Sequence, residues 1–302
     1  MKIGVNVPNF GPGTDPGVLR NWARTVEGLG FDLLMLSDHI AITPDVAERY
    51  PAPFYEPFTT LSWLAGLTTR IRLGTTVLIT PYRHPLVTAR MAANLNELSD
   101  GRLVLGVGVG WARQEFAALG IPFERRGRLT DSHLRDIRAA WADTASYGHR
   151  PIPLWVGGNS DAGIRRAVRL GQAWHPLRCT MPWLREAAGR LKDAADEQRL
   201  PAPALAPRIA LRLTAAPVDG AQRLAGEGTI DQVLEDLDEL RRLGAETVVL
   251  DPYHGDPRTT LDPHQGWQAL ATVAAHLLSP HHRPPHDLPT HDLPTHDGTE
   301  QS

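Results

Sequence analysis

Short apolar runs alternate with stretches of helical period along most of this chain, and that alternation limits the fold more than any single motif does. The period places strands over residues 2–8, 32–37, 71–79, 103–109, 153–156, 173–175, 208–215 and 247–251. Each is followed by a helical pattern, the first opened by Asp15 as cap, Pro16 in the first turn and Gly30 as stop. Parallel strands need such crossover helices, and the helices cover the sheet in turn. Eight units without a Pro/Gly-rich linker until the far end predict an α/β chain folded as a (β/α)8 TIM barrel over residues 1–279. An open doubly wound sheet is the poorer fit, because the first strand-to-helix turn lacks Gly-x-Gly-x-x-Gly.

From Pro280 onward the composition changes. The run is rich in Pro and His, and HDLPT occurs in tandem at His286–Thr290 and His291–Thr295. A segment that cannot bury a core is expected to be a disordered tail, residues 280–302, and its histidines lack the ordered spacing of a metal site. No metal is expected. A formal net charge of -3 gives no basic face for phosphates, so nucleic acid is not an expected partner. The single cysteine, Cys179, excludes an internal disulfide. No run approaches the roughly 20 apolar residues that span a bilayer. The first twenty residues lack a charged leader followed by an apolar run, so no membrane contact and a cytoplasmic location are expected.

A barrel of this kind builds its active site from the carboxyl ends of its strands. The second strand, in LLMLSDHI, ends on Ser37, Asp38 and His39. A histidine as a residue type suits proton transfer, while a cap at Asp38 and a half-buried ring at His39 satisfy the spacing equally well. The third strand carries Gly74, Thr75, Thr76 and Val77, then Tyr82. A glycine there marks a bulge or a close approach, although threonines are also simply good strand formers. The fourth ends in Gly106, Gly108, Gly110 and Trp111, where missing side chains would let a flat ring or another backbone come near. The fifth passes through Gly157, Gly158 and Asn159 into a helix, which presents backbone donors and a positive dipole end to a phosphate or is only a tight turn. Trp111, Trp174, Tyr82 and Phe54 could wall an apolar pocket, and residues 42–55, rich in proline, are a candidate lid. A His-x-His pair, a Gly-x-Ser-x-Gly elbow and a cysteine motif are all missing.

These blocks together, GFDLLMLSDHI, RIRLGTTVLITPYRHP, LSDGRLVLGVGVGWARQEFAALGIPFERRG, PLWVGGNS and GTIDQVLEDLDELRRLGAETVVLD, resemble the luciferase-like monooxygenase superfamily. Within it they are most similar to the branch that uses the deazaflavin coenzyme F420. The resemblance implies hydride transfer between F420 and a small organic substrate, with FMN as the alternative cofactor. It implies a catalytic role for His39 and a cofactor-binding role for Asp38. It also implies a bulge with a non-prolyl cis peptide at Thr76-Val77 behind the ring, and a phosphate turn at Gly157-Gly158. Gly108, Gly110 and Asn159 belong to the same implied cofactor site, and Trp111, Trp174 and Tyr82 to a substrate pocket. A homodimer is implied as well. One departure stands out: where sugar-phosphate dehydrogenases of this branch carry a glutamate after the fourth-strand glycines, this chain has Trp111, which argues against a sugar phosphate as substrate.

Overall fold

The computed structural model describes residues 1–277. The expected disorder of 280–302 lies outside the described residues. In chain order the elements begin with β1 (Lys2–Asn6), α1 (Pro16–Gly28), β2 (Leu33–Leu36), α2 (Pro44–Ala47), α3 (Pro57–Ala65), β3 (Arg72–Thr75), β4 (Leu78–Ile79), α4 (Pro85–Leu98) and β5 (Leu103–Gly108). There follow α5 (Arg113–Ala118), α6 (Arg126–Trp141), α7 (Thr144–Tyr147), β6 (Leu154–Gly157), α8 (Asp161–Leu170), β7 (Ala173–His175), α9 (Met181–Gln198), β8 (Ala204–Leu205) and β9 (Arg208–Ala210). The chain continues through β10 (Arg212–Leu213), β11 (Glu227–Gly228), α10 (Ile230–Arg242), β12 (Thr247–Asp251) and α11 (Pro263–Leu277).

The strands are parallel in the order β8-β7-β6-β5-β3-β2-β1-β12-β9. The two ends of that order are the two halves of one stave. Across Ala206-Pro207 the ladder continues, with Ala206 N–H donating to Trp174 O and Val249 N–H to Pro207 O, both 2.9 Å. Bridges at Leu177–Arg208 and Leu205–Ala245 tie the same stave to both neighbours, so the ring of strands closes.

Two strands differ from the sequence reading. The third, continuous over 71–79 by period, is interrupted between Thr75 and Leu78, and the Thr76–Val77 peptide there is cis, as the family resemblance implied. The seventh begins at Ala204 and leaves the barrel after Ala210, because Arg212–Leu213 pairs instead with Glu227–Gly228 in a separate ribbon. The short helices α2, α5 and α7 were not expected, since four to six residues carry too little period to register.

The barrel explains why β2 is apolar on both faces. Leu33 and Met35 point into the barrel with Val104, Trp155, Ala206 and Val249. Leu34 and Leu36 belong to the layer beneath the helices, with Leu61, Leu73 and Leu105. Successive side chains alternate across a strand, so a strand covered on both sides has no polar position to spare. Gly74 makes room for this filling: a Cβ there would lie 3.1 Å from Met35 Cε and 2.8 Å from Val104 O. Among the described residues no helix is long and apolar enough to cross a membrane.

Candidate active site

At the carboxyl end of the barrel a cavity of about 240 Å³ is lined by Ser37, Asp38, His39, Tyr50, Thr76, Val77, Ile79, Gly108, Val109, Gly110, Trp111, Gly157, Gly158, Leu177 and Arg208. Nine of the twelve residues expected at a site therefore meet at one cavity: His39, Asp38, Thr76, Val77, Gly108, Gly110, Gly157, Gly158 and Trp111. The remaining three stand outside this lining. Trp174 is fully buried and gives its Nε1 proton to Gly158 O at 2.9 Å. Asn159 spends its side chain on Leu177, donating to its carbonyl at 2.8 Å and accepting from its N–H at 3.1 Å. Tyr82 donates its hydroxyl to Glu115 at 2.9 Å.

One wall of the cavity is backbone. Gly108 and Gly157 flank the Val77 side chain, and a Cβ would lie 2.5 Å from Val77 Cγ2 at Gly108 and 2.9 Å from Val77 Cγ1 at Gly157. Any side chain at either place would have to push the Val77 side chain aside, so the glycines let Val77 pack directly against their backbone. At Gly158 the backbone is left-handed, with φ of +113°, and nothing lies within 4 Å of the place a Cβ would take. Its turn leads straight into α8, where Ser160 Oγ accepts from Gly163 N–H but the other first-turn amides lack intrahelical partners. That end suits an anion. Arg166 on α8 adds no free charge there, because it is buried and bound to Asp131 at 2.5 Å and to Gly127 O at 3.3 Å.

Beneath the Thr76–Val77 bulge lies a buried polar network. Arg208 donates to Asp251 Oδ2 at 2.9 and 2.6 Å and to Thr76 O at 2.9 Å. His175 Nδ1 faces the Ala206 carbonyl at 2.5 Å, and Nε2 meets the Thr76 hydroxyl at 2.9 Å. Burial pushes the His175 pKa down to about 4. The ring is therefore neutral at pH 7, carries its proton on Nδ1, and accepts from Thr76 at Nε2.

Asp38 caps no helix. Its Oδ2 accepts from Ile79 N–H at 2.8 Å, and both oxygens receive the Arg83 guanidinium at 2.8 Å, which also reaches Glu56 at 2.9 Å. A bidentate, buried pair of this kind fixes the end of β2 against β4. His39, beside it, sits in aromatic company: Tyr50 stacks on it at 5.3 Å, with Phe54 and Trp111 edge-on at 5.5 and 5.7 Å. The proline-rich segment supplies Tyr50 and Phe54. It is held by Tyr55 N–H on Asn9 O at 2.8 Å, and Arg49 lies over the Trp111 ring at 5.1 Å.

Sequence reasoning did not identify Glu115. Its carboxylate lies 2.6 Å from His39 Nδ1 and accepts from the N–H groups of Ile40 at 2.6 Å and Ala41 at 3.1 Å. Glu115 lies four residues after Trp111, in α5. Its signal in the sequence was an acid directly before Phe116 on the buried face of a short helix. Among the described residues, no group of three or more His, Cys, Asp or Glu side chains could hold a metal ion.

Comparison with known proteins agrees with this geometry. The model of the luciferase-like monooxygenase family matches residues 1–217. An F420-dependent glucose-6-phosphate dehydrogenase of Beutenbergia cavernae is 30% identical over 283 residues, which is 86% of this chain and 71% of that protein. A monooxygenase of Streptomyces bottropensis has a similar fold, with a TM-score of 0.73 at 21% identity, covering 94% of this chain and all of that one. So does the oxygenating constituent of 3,6-diketocamphane monooxygenase of Pseudomonas putida, solved with FMN, with a TM-score of 0.68 at 16% identity over 91% of this chain and 96% of that one. The barrel, the strand-end cavity and the family match agree: the chain belongs to the luciferase-like monooxygenase family and is an enzyme of its oxidoreductase class.

Proposed function

We propose that this enzyme transfers a hydride between coenzyme F420 and a small organic substrate. The observation that carries the reading is the cavity itself, whose lining brings together the glycine wall of Gly108, Val77 and Gly157, His39, and an open glycine turn at a helix start. A planar ring system with a phosphate-bearing side chain fits that donor set: the glycine wall would face the ring, and the Gly157-Gly158 turn with the start of α8 would hold the phosphate. When bound, the deazaflavin supplies a hydride-transferring carbon, and the protein supplies position, a proton route and exclusion of water. His39 would exchange a proton with the substrate oxygen. Tyr50, Phe54 and Trp111 would surround an apolar substrate.

Arg208, the cation lining the cavity, is already paired with Asp251. That pairing leaves it poorly placed to hold a second phosphate and favours an uncharged alcohol or carbonyl compound over a sugar phosphate. FMN is the alternative, supported by the solved relative that holds it. The test is turnover. Anaerobic change in F420 absorbance with a panel of small secondary alcohols or ketones would support the proposal, whereas oxygen uptake with reduced FMN and no F420 turnover would replace it. A homodimer is part of the same reading, supported by exposed apolar side chains on two neighbouring helices, Leu86 and Val87 on α4 (50% and 51% exposed) and Trp63 on α3. Light scattering at twice the chain mass tests it.

A further inference from the structure

Glu115 is 0% exposed, yet both of its carboxylate oxygens are engaged. Oε1 accepts the N–H groups of Ile40 and Ala41. Oε2 lies 2.9 Å from the Tyr82 hydroxyl and 2.6 Å from His39 Nδ1. Burial and the neighbouring Glu115 push the Tyr82 pKa upward, so at neutral pH the phenol keeps its proton and donates. With both oxygens accepting, the carboxylate offers Nδ1 only a lone pair, and Nδ1 must present an N–H. A neutral imidazole then carries its own lone pair on Nε2, and among the described residues the ring's one side-chain hydrogen bond is through Nδ1. The same carboxylate also clamps the first two residues of the loop after His39, so ring orientation and loop position are fixed by one group.

We propose that Glu115 is a positioning residue that locks His39 in its Nδ1–H tautomer and so makes Nε2 the proton-exchanging atom of the site. The role of Nε2 toward a substrate rests on the function proposed above; the tautomer does not. In the oxidising direction the substrate O–H bond breaks, an Nε2–H bond forms from the nitrogen lone pair, and the resulting imidazolium lies against the Glu115 carboxylate. The reverse step returns that proton to a carbonyl oxygen as it is reduced. The arrangement resembles the orientation of an imidazole by a buried acid in hydrolytic triads, here serving a different reaction.

Glu115→Gln supplies the test, because it keeps the volume and changes the hydrogen-bond sign. The amide oxygen can still accept from Ile40 and Ala41, which turns the NH2 group toward His39. Nδ1 must then accept, and the ring proton moves to Nε2. Long-range 1H–15N correlation on histidine-labelled protein at mildly alkaline pH, without cofactor, reads this directly, with the His39 signals assigned by their loss in His39→Gln. The wild type is expected to show the proton on Nδ1 and a bare Nε2, and Glu115→Gln the reverse. Tyr82→Phe, which leaves the carboxylate in place, is expected to retain the wild-type pattern. A wild-type proton on Nε2, or an unchanged tautomer in Glu115→Gln, overturns the proposal, and the wild-type spectrum decides even where the variant does not fold. Once a substrate is known, Glu115→Gln is expected to lower kcat by roughly 10²- to 10⁴-fold with KM little changed. Absence of F420 turnover would remove the proposed function and leave the tautomer assignment standing.

Discussion

Among single changes in the cavity lining, Arg208→Met should cost this protein the most stability. Arg208 is 4% exposed and Asp251 1% exposed. The substitution removes two charge-assisted hydrogen bonds to Asp251 Oδ2, at 2.9 and 2.6 Å, and one to Thr76 O at 2.9 Å. Asp251 keeps Asn6 Nδ2 at 2.9 Å and Tyr253 N–H at 3.1 Å on Oδ1, but Oδ2 is left as an uncompensated charge away from water. Breaking one side of a buried pair costs about 3–5 kcal/mol. Against a total of roughly 5–15 kcal/mol, and at about 2–4 °C per kcal/mol, the melting temperature should fall by about 6–20 °C. Calorimetry or circular-dichroism melts of Arg208→Met, Asp251→Asn and the double variant form a cycle. Because neutralising Asp251 removes the orphaned charge, the double variant should be less destabilised than the sum of the singles by about 2 kcal/mol. Single losses below about 1 kcal/mol, or strict additivity, would refute the idea that this pair holds the Thr76 carbonyl in place.

Gly108→Ala places a Cβ 2.5 Å from Val77 Cγ2, so it should cost about 1–3 kcal/mol in denaturant melts and weaken cofactor binding, whereas a neutral result would show that the wall gives way freely. His175 makes stability depend on pH. Its folded pKa, about 4, is below the unfolded value of about 6.5. The unfolded chain therefore takes up a proton first, and the contribution is complete above pH 6.5 and lost as pH falls toward 4. Urea melts at pH 7 and pH 5 should differ less in His175→Asn than in the wild type, and an equal difference would contradict the assignment. Burial pushes the Cys179 thiol up to about 12, so iodoacetamide at pH 7.5 should label it only after unfolding, and rapid native labelling would contradict its burial.

The barrel was legible because its staves and helices differ in period, and an error of two or three residues at an end leaves the alternation intact. What period and residue type did not reveal was where strands break. Thr75 to Leu78 looks like one continuous strand by residue type, and the cis peptide at Thr76–Val77 was expected from the family resemblance alone. Arg208 to Ala215 reads as one strand because the switch of Arg212–Leu213 to Glu227–Gly228 is a long-range pairing. His39 was legible because it ends an apolar run in a fold whose strand ends are functional. Glu115 was not, because it reaches His39 across 76 residues from a helix too short to show a period. Trp174 shows a related limit. An aromatic residue at a strand end can be spent on structure, as Trp174 is on Gly158 O.

Equilibrium binding tests the central claim most directly. Fluorescence titration of the purified protein with F420 and, separately, with FMN should show saturable F420 binding at least about tenfold tighter than FMN, a difference of about 1.4 kcal/mol. Gly158→Asp, which puts a like charge into the open turn and a side chain at a φ of +113°, should weaken F420 binding by about tenfold or more. FMN binding at least as tightly as F420, or F420 binding unchanged in Gly158→Asp, would contradict a deazaflavin seated in this cavity.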